Sequence, residues 1–396
     1  MPTDLNDRRY FLLFILLYAL IYMGNAVYGT FIPVYLNHIG LSNAAVGLLL
    51  ALGPFVAMFA QPAWGLAADR VRAKSTVLKL LFLGSAATVM LYPVSHSFLY
   101  LLFAFALFPC FQTSISPVSD AVTLEYLDAS HRKFGHIRMA GTLGYAVMSV
   151  IAGVVASRYI DGIFPLYFVI YLLGTLVVFR LPKIRGHQSE TKKVSPLLML
   201  RNKPFMLLMA LNLVVQTTLG YYYSFFPIYF KQLGAGSTIL GWSALISSVS
   251  EVPFLLFADR ILKKVGVRKT LVASSVLMAI RWLLMFCITD PYLMLAVQLL
   301  HGTNFIVFSF SLAVYINDKM PKELKASGQA MSGIVTFGLS RILGSIFGGL
   351  FSDSLGLRRM FGINAAVVAV SALLFGLIFY RNARAGQGGA EPHRAM

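Results

Sequence analysis

Apolar runs long enough to cross a bilayer begin near residues 10, 43, 75, 97, 136, 163, 204, 237, 269, 291, 325 and 357. A helix rising 1.5 Å per residue needs about 20 apolar residues to cross a hydrocarbon layer of about 30 Å. The pattern therefore predicts an all-α membrane protein with twelve spans and almost no chain left over. One polar break is much longer than the rest: RLPKIRGHQSETKKVSPLLMLRNKP, from Arg180 to Pro204. It divides the spans six and six. The expected organisation is an N-terminal six-helix bundle over 1–181 and a linker over 182–203. A C-terminal six-helix bundle with a short basic tail follows over 204–396. The opening MPTDLNDRRY leads into a full-length apolar run without a small-residue cleavage site, so it reads as the first span and not as a leader.

Composition agrees with the pattern. The chain is 58% hydrophobic and 12% charged, where soluble domains carry about 25% charged residues. The net charge of +18 would suggest nucleic acid if it were spread evenly, but it is not. With twelve spans, Arg70, Arg72, Lys74, Arg132, Lys133, Lys263, Lys264, Arg268, Lys269, Lys319, Lys322 and Lys325 fall on the side of the termini and the linker. The other side offers Arg158, Lys231, Arg358 and Arg359. That bias is the positive-inside signal and predicts both termini in the cytoplasm. The basic surplus then serves orientation and attraction to anionic membrane lipids, with no nucleic-acid partner. Cys110 and Cys287 lie in apolar runs without metal or disulfide spacing and read as buried small hydrophobes. No metal and no cofactor is expected.

Ionisable residues inside spans are costly and mark function by default. Here they are Asp120, Arg138, Glu251, Arg281, His301 and Arg341. Arg281 precedes the turn at Asp290-Pro291 by nine residues and His301 follows it by ten. Both are then roughly 14 Å deep on adjacent antiparallel helices. That suits a direct pair, or one acid shared between them, and Asn304 is one turn away to join. Asp120 and Arg138 flank the turn between spans four and five and are expected to pair across it. An arginine there can also grip a carboxylate or a hydroxyl pair bidentately, and Tyr145 can stack on a ring. Glu251, a carboxylate without a full-time partner, suits reversible protonation. Gly344 and Gly348 form a close-contact face beside Arg341. Asn25, Tyr28 and Gln216 are further polar candidates for solute contact. The run Tyr221–Tyr223 suits an interfacial belt or a pocket wall.

Two segments repeat. GLAADRVRAK (Gly65 to Lys74) and LFADRILKKVGVRK (Leu256 to Lys269) both put Ala-Asp-Arg at the end of the second span of a half. A weaker echo, GGLFSDSLGLRR, follows span eleven. Asp69 can cap a neighbouring helix N-terminus, where the dipole favours an anion, and Arg70 can pair across the loop. Asp259 and Arg260 hold the equivalent places.

The six-plus-six layout and the GxxxDR loop resemble the major facilitator superfamily of secondary transporters. FGHIRMAGTLGY, QPAWGLAADR and MGNAVYGTFIPVYL are similar to the lactose-permease group. SEVPFLLF, AIRWLL…LLHG and the Arg341 helix resemble its phenylpropionate-permease and nucleoside-symporter branch. The resemblance spans essentially the whole chain. It implies the major facilitator fold, a gate brace at Gly65, Asp69 and Arg70, and solute contact at Asp120 and Arg138. Departures are visible too. Arg72 stands where a loop glycine is usual. Asn304 stands where the lactose permease carries a proton-binding glutamate, and the acid of span seven is absent. Glu251 is then the acid left to carry a proton in the second half.

The expected function is proton-coupled secondary transport by alternating access, as a monomer. The solute is a small organic molecule: an aromatic or other carboxylate, a nucleoside or a sugar. A proton-driven exporter or lipid flippase of the same fold is the rival, and a non-transporting sensor is a remote one. No GxxxxGK[ST] phosphate loop, nucleophile elbow or metal cluster points to an enzyme.

Overall fold

In the computed structural model the protein is described over residues 4–71, 73–130, 132, 134–182 and 202–388. Twelve helices are long and apolar enough to cross a membrane. Spans 1 to 6 are Arg8–His38, Asn43–Arg70, Lys74–Val94, Phe98–Asp128, Phe134–Arg158 and Ile160–Phe179. Spans 7 to 12 are Lys203–Gln232, Ser237–Val265, Val267–Cys287, Pro291–Lys319, Ser327–Leu355 and Leu357–Arg381. Each begins within three residues of its expected start. Most of the expected 182–203 linker, together with Arg72 and Lys133, lies outside the described residues. The outer surface is apolar, with Leu99, Leu256 and Phe59 at 77%, 72% and 65% exposure. Apolar exposure on this scale is a liability in water and the expected state against lipid. Cys287 is exposed at the end of span 9, not buried as expected.

Call the end holding the termini the near end and the other the far end. At the far end two crossings make the most extensive contact between the first six spans and the last six. Span 2 crosses span 11, and span 5 crosses span 8. Both rely on glycine. A Cβ on Gly47 would fall 2.2 Å from the Ser345 carbonyl oxygen, and one on Gly241 would fall 2.3 Å from that of Ser149. Only backbones without side chains approach this closely.

Several spans are interrupted, and the interruptions position the site. Span 8 is helical over Ser237–Val249 and again over Val252–Val265. Pro253 explains the gap: it has no N–H for the Val249 carbonyl, and its ring crowds that group. Span 10 passes from Pro291–Val297 into a tighter 3₁₀ stretch, Gln298–Thr303, before resuming at Phe305–Lys319. Span 11 holds a wide π turn at Ile334–Leu339, ending two residues before Arg341.

Candidate functional site

The breaks in spans 8 and 10 lie against each other. A Cβ on Gly302 would sit 1.8 Å from the Ser250 carbonyl oxygen and 2.7 Å from the Glu251 nitrogen. The Gly302 N–H donates to Ser250 Oγ at 2.8 Å. This contact delivers Glu251 to His301, with Oε1 3.5 Å from Nε2. The same Nε2 is 3.2 Å from the hydroxyl of Tyr223. The Arg341 guanidinium lies over the Tyr223 ring, 3.8 Å from its centroid. Four residues from spans 7, 8, 10 and 11 thus form one connected group.

The group lines a cavity of about 560 Å³. Its opposite wall comes from spans 1 and 5: Tyr22, Asn25, Thr30, Arg138, Thr142 and Tyr145. Arg138 is exposed and lies 4.8 Å above the Tyr22 ring centroid. Tyr145 OH is 3.4 Å from Thr30 Oγ1. Asn25 accepts from Gln112 Nε2 at 3.0 Å. Among the described residues, no carboxylate lies within 4.0 Å of the Arg138 or Arg341 nitrogens.

Several expectations about partners are corrected. Asp120 does not pair with Arg138; the hydroxyl of Tyr18 donates to it, and it is not part of the cavity wall. Arg281 neither meets His301 nor shares its acid. It is fully buried, and its Nη2 donates to Gln298 Oε1 at 2.8 Å. The Tyr222 ring covers it at 4.4 Å. In a 3₁₀ turn residues three apart eclipse, so Gln298 occupies the level of Arg281 while His301 sits one turn away. Gln298 Oε1 also accepts from Tyr222 OH at 2.9 Å and Ser247 Oγ at 3.3 Å. Asn304 does not join the histidine; its Nδ2 points to the Ser274 carbonyl at 3.4 Å. Tyr28 is packed among Tyr92, Phe108 and Tyr167, away from the cavity. Gln216 is fully buried and not among the cavity residues.

The tyrosine run divides three ways. Tyr221 bonds the Leu357 carbonyl at 3.0 Å, Tyr222 bonds Gln298, and Tyr223 bonds His301. Sequence reasoning missed Gln298 and the bridging role of Tyr223. An amide three residues before an intramembrane histidine was the available signal.

At the near end, among the described residues, no hydrogen bond or ion pair of the repeated loops joins the two sets of spans. Asp69 is 3.8 Å from Lys74 Nζ, a partner in its own loop, and does not cap a neighbouring helix. Lys74 reaches Glu125 at 3.0 Å. Gly65 has open space around it. Arg70 and Asp259 are exposed, without an ion pair among the described residues, and Arg260 leans 5.9 Å from the Phe257 ring centroid. The expected close face does form: a Cβ on Gly344 would be 2.3 Å from the Thr217 oxygen, and one on Gly348 would be 2.4 Å from the Tyr221 ring.

Residues 10–363 match the model of the MFS_1 like family. The chain is 25% identical to the maltose permease of Geobacillus stearothermophilus, covering 94% of this chain and 96% of the relative. It is 26% identical to the probable 3-phenylpropionic acid transporter of Escherichia coli (strain K12), covering 87% and 92%. Among solved structures it resembles nucleoside transporter NupG, with a TM-score of 0.80 at 16% identity, covering 93% and 99%. Twelve apolar helices and relatives of this kind make it a multi-pass cell-membrane protein. With nearly the whole span region matched by one family model, the chain belongs to the MFS_1 like family, whose fold is that of the major facilitator transporters.

Proposed function

We propose that this chain is a proton-coupled secondary transporter of a small organic solute, working by alternating access between spans 1–6 and spans 7–12. The observation that carries the reading is the Glu251–His301 contact, held at two helix breaks in the wall of the cavity. Discontinuous helices at mid-membrane sites are a recurring transporter device. The chemistry supports coupling. His301 Nε2 has one position for a proton or a lone pair. With a proton there, it donates to the Glu251 carboxylate. Without one, it accepts from the Tyr223 hydroxyl. Protonation of the pair therefore reorients Tyr223, which carries Arg341 on its ring.

The charges in the cavity favour a solute bearing a carboxylate. Arg138 and Arg341 reach it from opposite walls without acid partners among the described residues, while Glu251 is engaged by His301. The names of the relatives span sugar, aromatic acid and nucleoside transport, so the solute class is a matter for direct test. Arg138→Lys should weaken binding by about tenfold or more, because an ammonium lacks the planar fork. Thermal-shift titration with 3-phenylpropionate, uridine and maltose checks this. The melting temperature without solute should match wild type. Unchanged affinity in the variant would leave Arg138 out of solute binding.

The orientation follows from the charge bias, with the near end cytoplasmic. The state described here, joined at the far end, is then inward-facing. A Ser189→Cys variant lacking Cys110 and Cys287 should resist an impermeant maleimide in intact cells and react after permeabilisation. Labelling from outside would reverse the orientation.

A further inference from the structure

The span-eleven echo, GGLFSDSLGLRR, has no place in the cavity. Its aspartate has another. Asp353 lies in the last turn of span 11 at the far end. Its Oδ1 accepts from the Asn43 backbone N–H at 2.8 Å and from Asn43 Nδ2 at 2.9 Å. Its Oδ2 accepts from the Ala44 N–H at 2.9 Å. A helix leaves its first four N–H groups without partners of its own. Span 2 meets one of them locally: Ser42 Oγ takes the Ala45 N–H at 3.3 Å, and the ordinary helical ladder begins with the Val46 N–H on the Ser42 carbonyl at 2.9 Å. The Asn43 and Ala44 N–H groups are met by Asp353, from the far end of the other six spans.

The charge has no cationic partner. Among the described residues, no lysine, arginine or histidine nitrogen lies within 4.0 Å of Asp353. Arg358, five residues on, is turned away and donates to the Phe286 carbonyl at 2.8 Å. The positive end of span 2 is therefore the counter-charge. The companion crossing has no such contact. Span 8 starts at Gly236 without a side-chain cap. There the link across is backbone packing and one bond, Ser149 Oγ to the Gly241 carbonyl at 3.1 Å.

We propose that Asp353 is the latch of the far gate, a positioning residue that sets the balance between the two transport states without touching solute. While the gate is shut, its carboxylate completes the start of span 2. When span 11 leaves, two N–H groups lose their acceptor and the carboxylate, exposed even with the gate shut, loses its donors. The inference rests on the reading that spans 1–6 and 7–12 move against each other. Loss of the contact raises the far-open population. A charge at a helix start is worth about a threefold to tenfold change in that equilibrium.

The test is double electron–electron resonance between spin labels at His38→Cys and Arg359→Cys, in a background lacking Cys110 and Cys287. Both label sites are exposed at the far end. Asp353→Ala should increase the long-distance fraction about tenfold, and Asp353→Asn about threefold because its amide oxygen still accepts. Asn43→Ala, which loses only the side-chain bond, should change it least. Gly349→Ala is the reference: its Cβ would fall 2.4 Å from the Asn43 oxygen and must part the same crossing. If Gly349→Ala widens the distances and Asp353→Ala does not, the latch is wrong and the movement stands. A lower melting temperature with unchanged distances also overturns the latch, leaving Asp353 as a cap alone. If neither variant widens them, the movement of the two sets is wrong and the latch falls with it.

Discussion

Glu251→Gln should abolish uphill accumulation of solute while leaving solute exchange intact. In proteoliposomes with an imposed pH gradient, wild type should concentrate solute and the variant should only equilibrate it. The amide copies the shape of a protonated carboxyl but cannot release a proton. His301 then keeps a hydrogen-bond partner but loses its ionic one, so the pair remains in one protonation state through the cycle. Counterflow exchange needs only that the loaded cavity reorient, so it should stay within about twofold of wild type, a change of about 0.4 kcal/mol. His301→Ala should weaken coupling less completely, since the carboxyl survives. Continued accumulation by Glu251→Gln would place the proton elsewhere. Asp120 is the next acid to test, although the Tyr18 hydroxyl already engages it.

Gly302→Ala should disable transport through a single methyl group. Its Cβ has nowhere to go: the Ser250 oxygen would be 1.8 Å away and the Glu251 nitrogen 2.7 Å. Both are backbone atoms and neither can swing aside. Forcing a methyl into a packed contact costs about 1–3 kcal/mol. Here the strain is relieved by parting spans 8 and 10, which breaks the 2.8 Å bond from Gly302 to Ser250 and draws His301 from Glu251. The expected result is a lower melting temperature and at least a tenfold loss of proton-coupled uptake. Gly333→Ala is the control, because a Cβ there meets nothing within 4 Å. Full activity in Gly302→Ala would show that the crossing does not hold the pair in place.

These two variants differ in how visible their targets are from the sequence. Glu251 stands out as an acid in an apolar run, and its depth follows from counting residues. Gly302 does not stand out, because a glycine in a span has many uses. The carbonyl it touches belongs to a residue 52 positions earlier. Counting puts Arg281 and His301 at matched depth, but it assumes an even α-helical rise and names no neighbour. The 3₁₀ stretch in span 10 sets Gln298 against the arginine and His301, one turn on, against the glutamate. Asp120 and Arg138 failed to pair for a related reason: Tyr18 and Tyr22, both from span 1, stand beside them.

By itself the sequence determined the twelve spans and the set of ionisable residues within them. Hydrocarbon thickness and the cost of a buried charge act on each stretch of chain alone, so both are readable locally. Only the tertiary structure decided the partners. It gave His301 to Glu251, Arg281 to Gln298, Asp120 to Tyr18 and Asp353 to the start of span 2. Those choices depend on where helices break, how far glycine lets them approach and which faces then meet. Each is a property of two or more distant segments at once, and no single run of residues contains it.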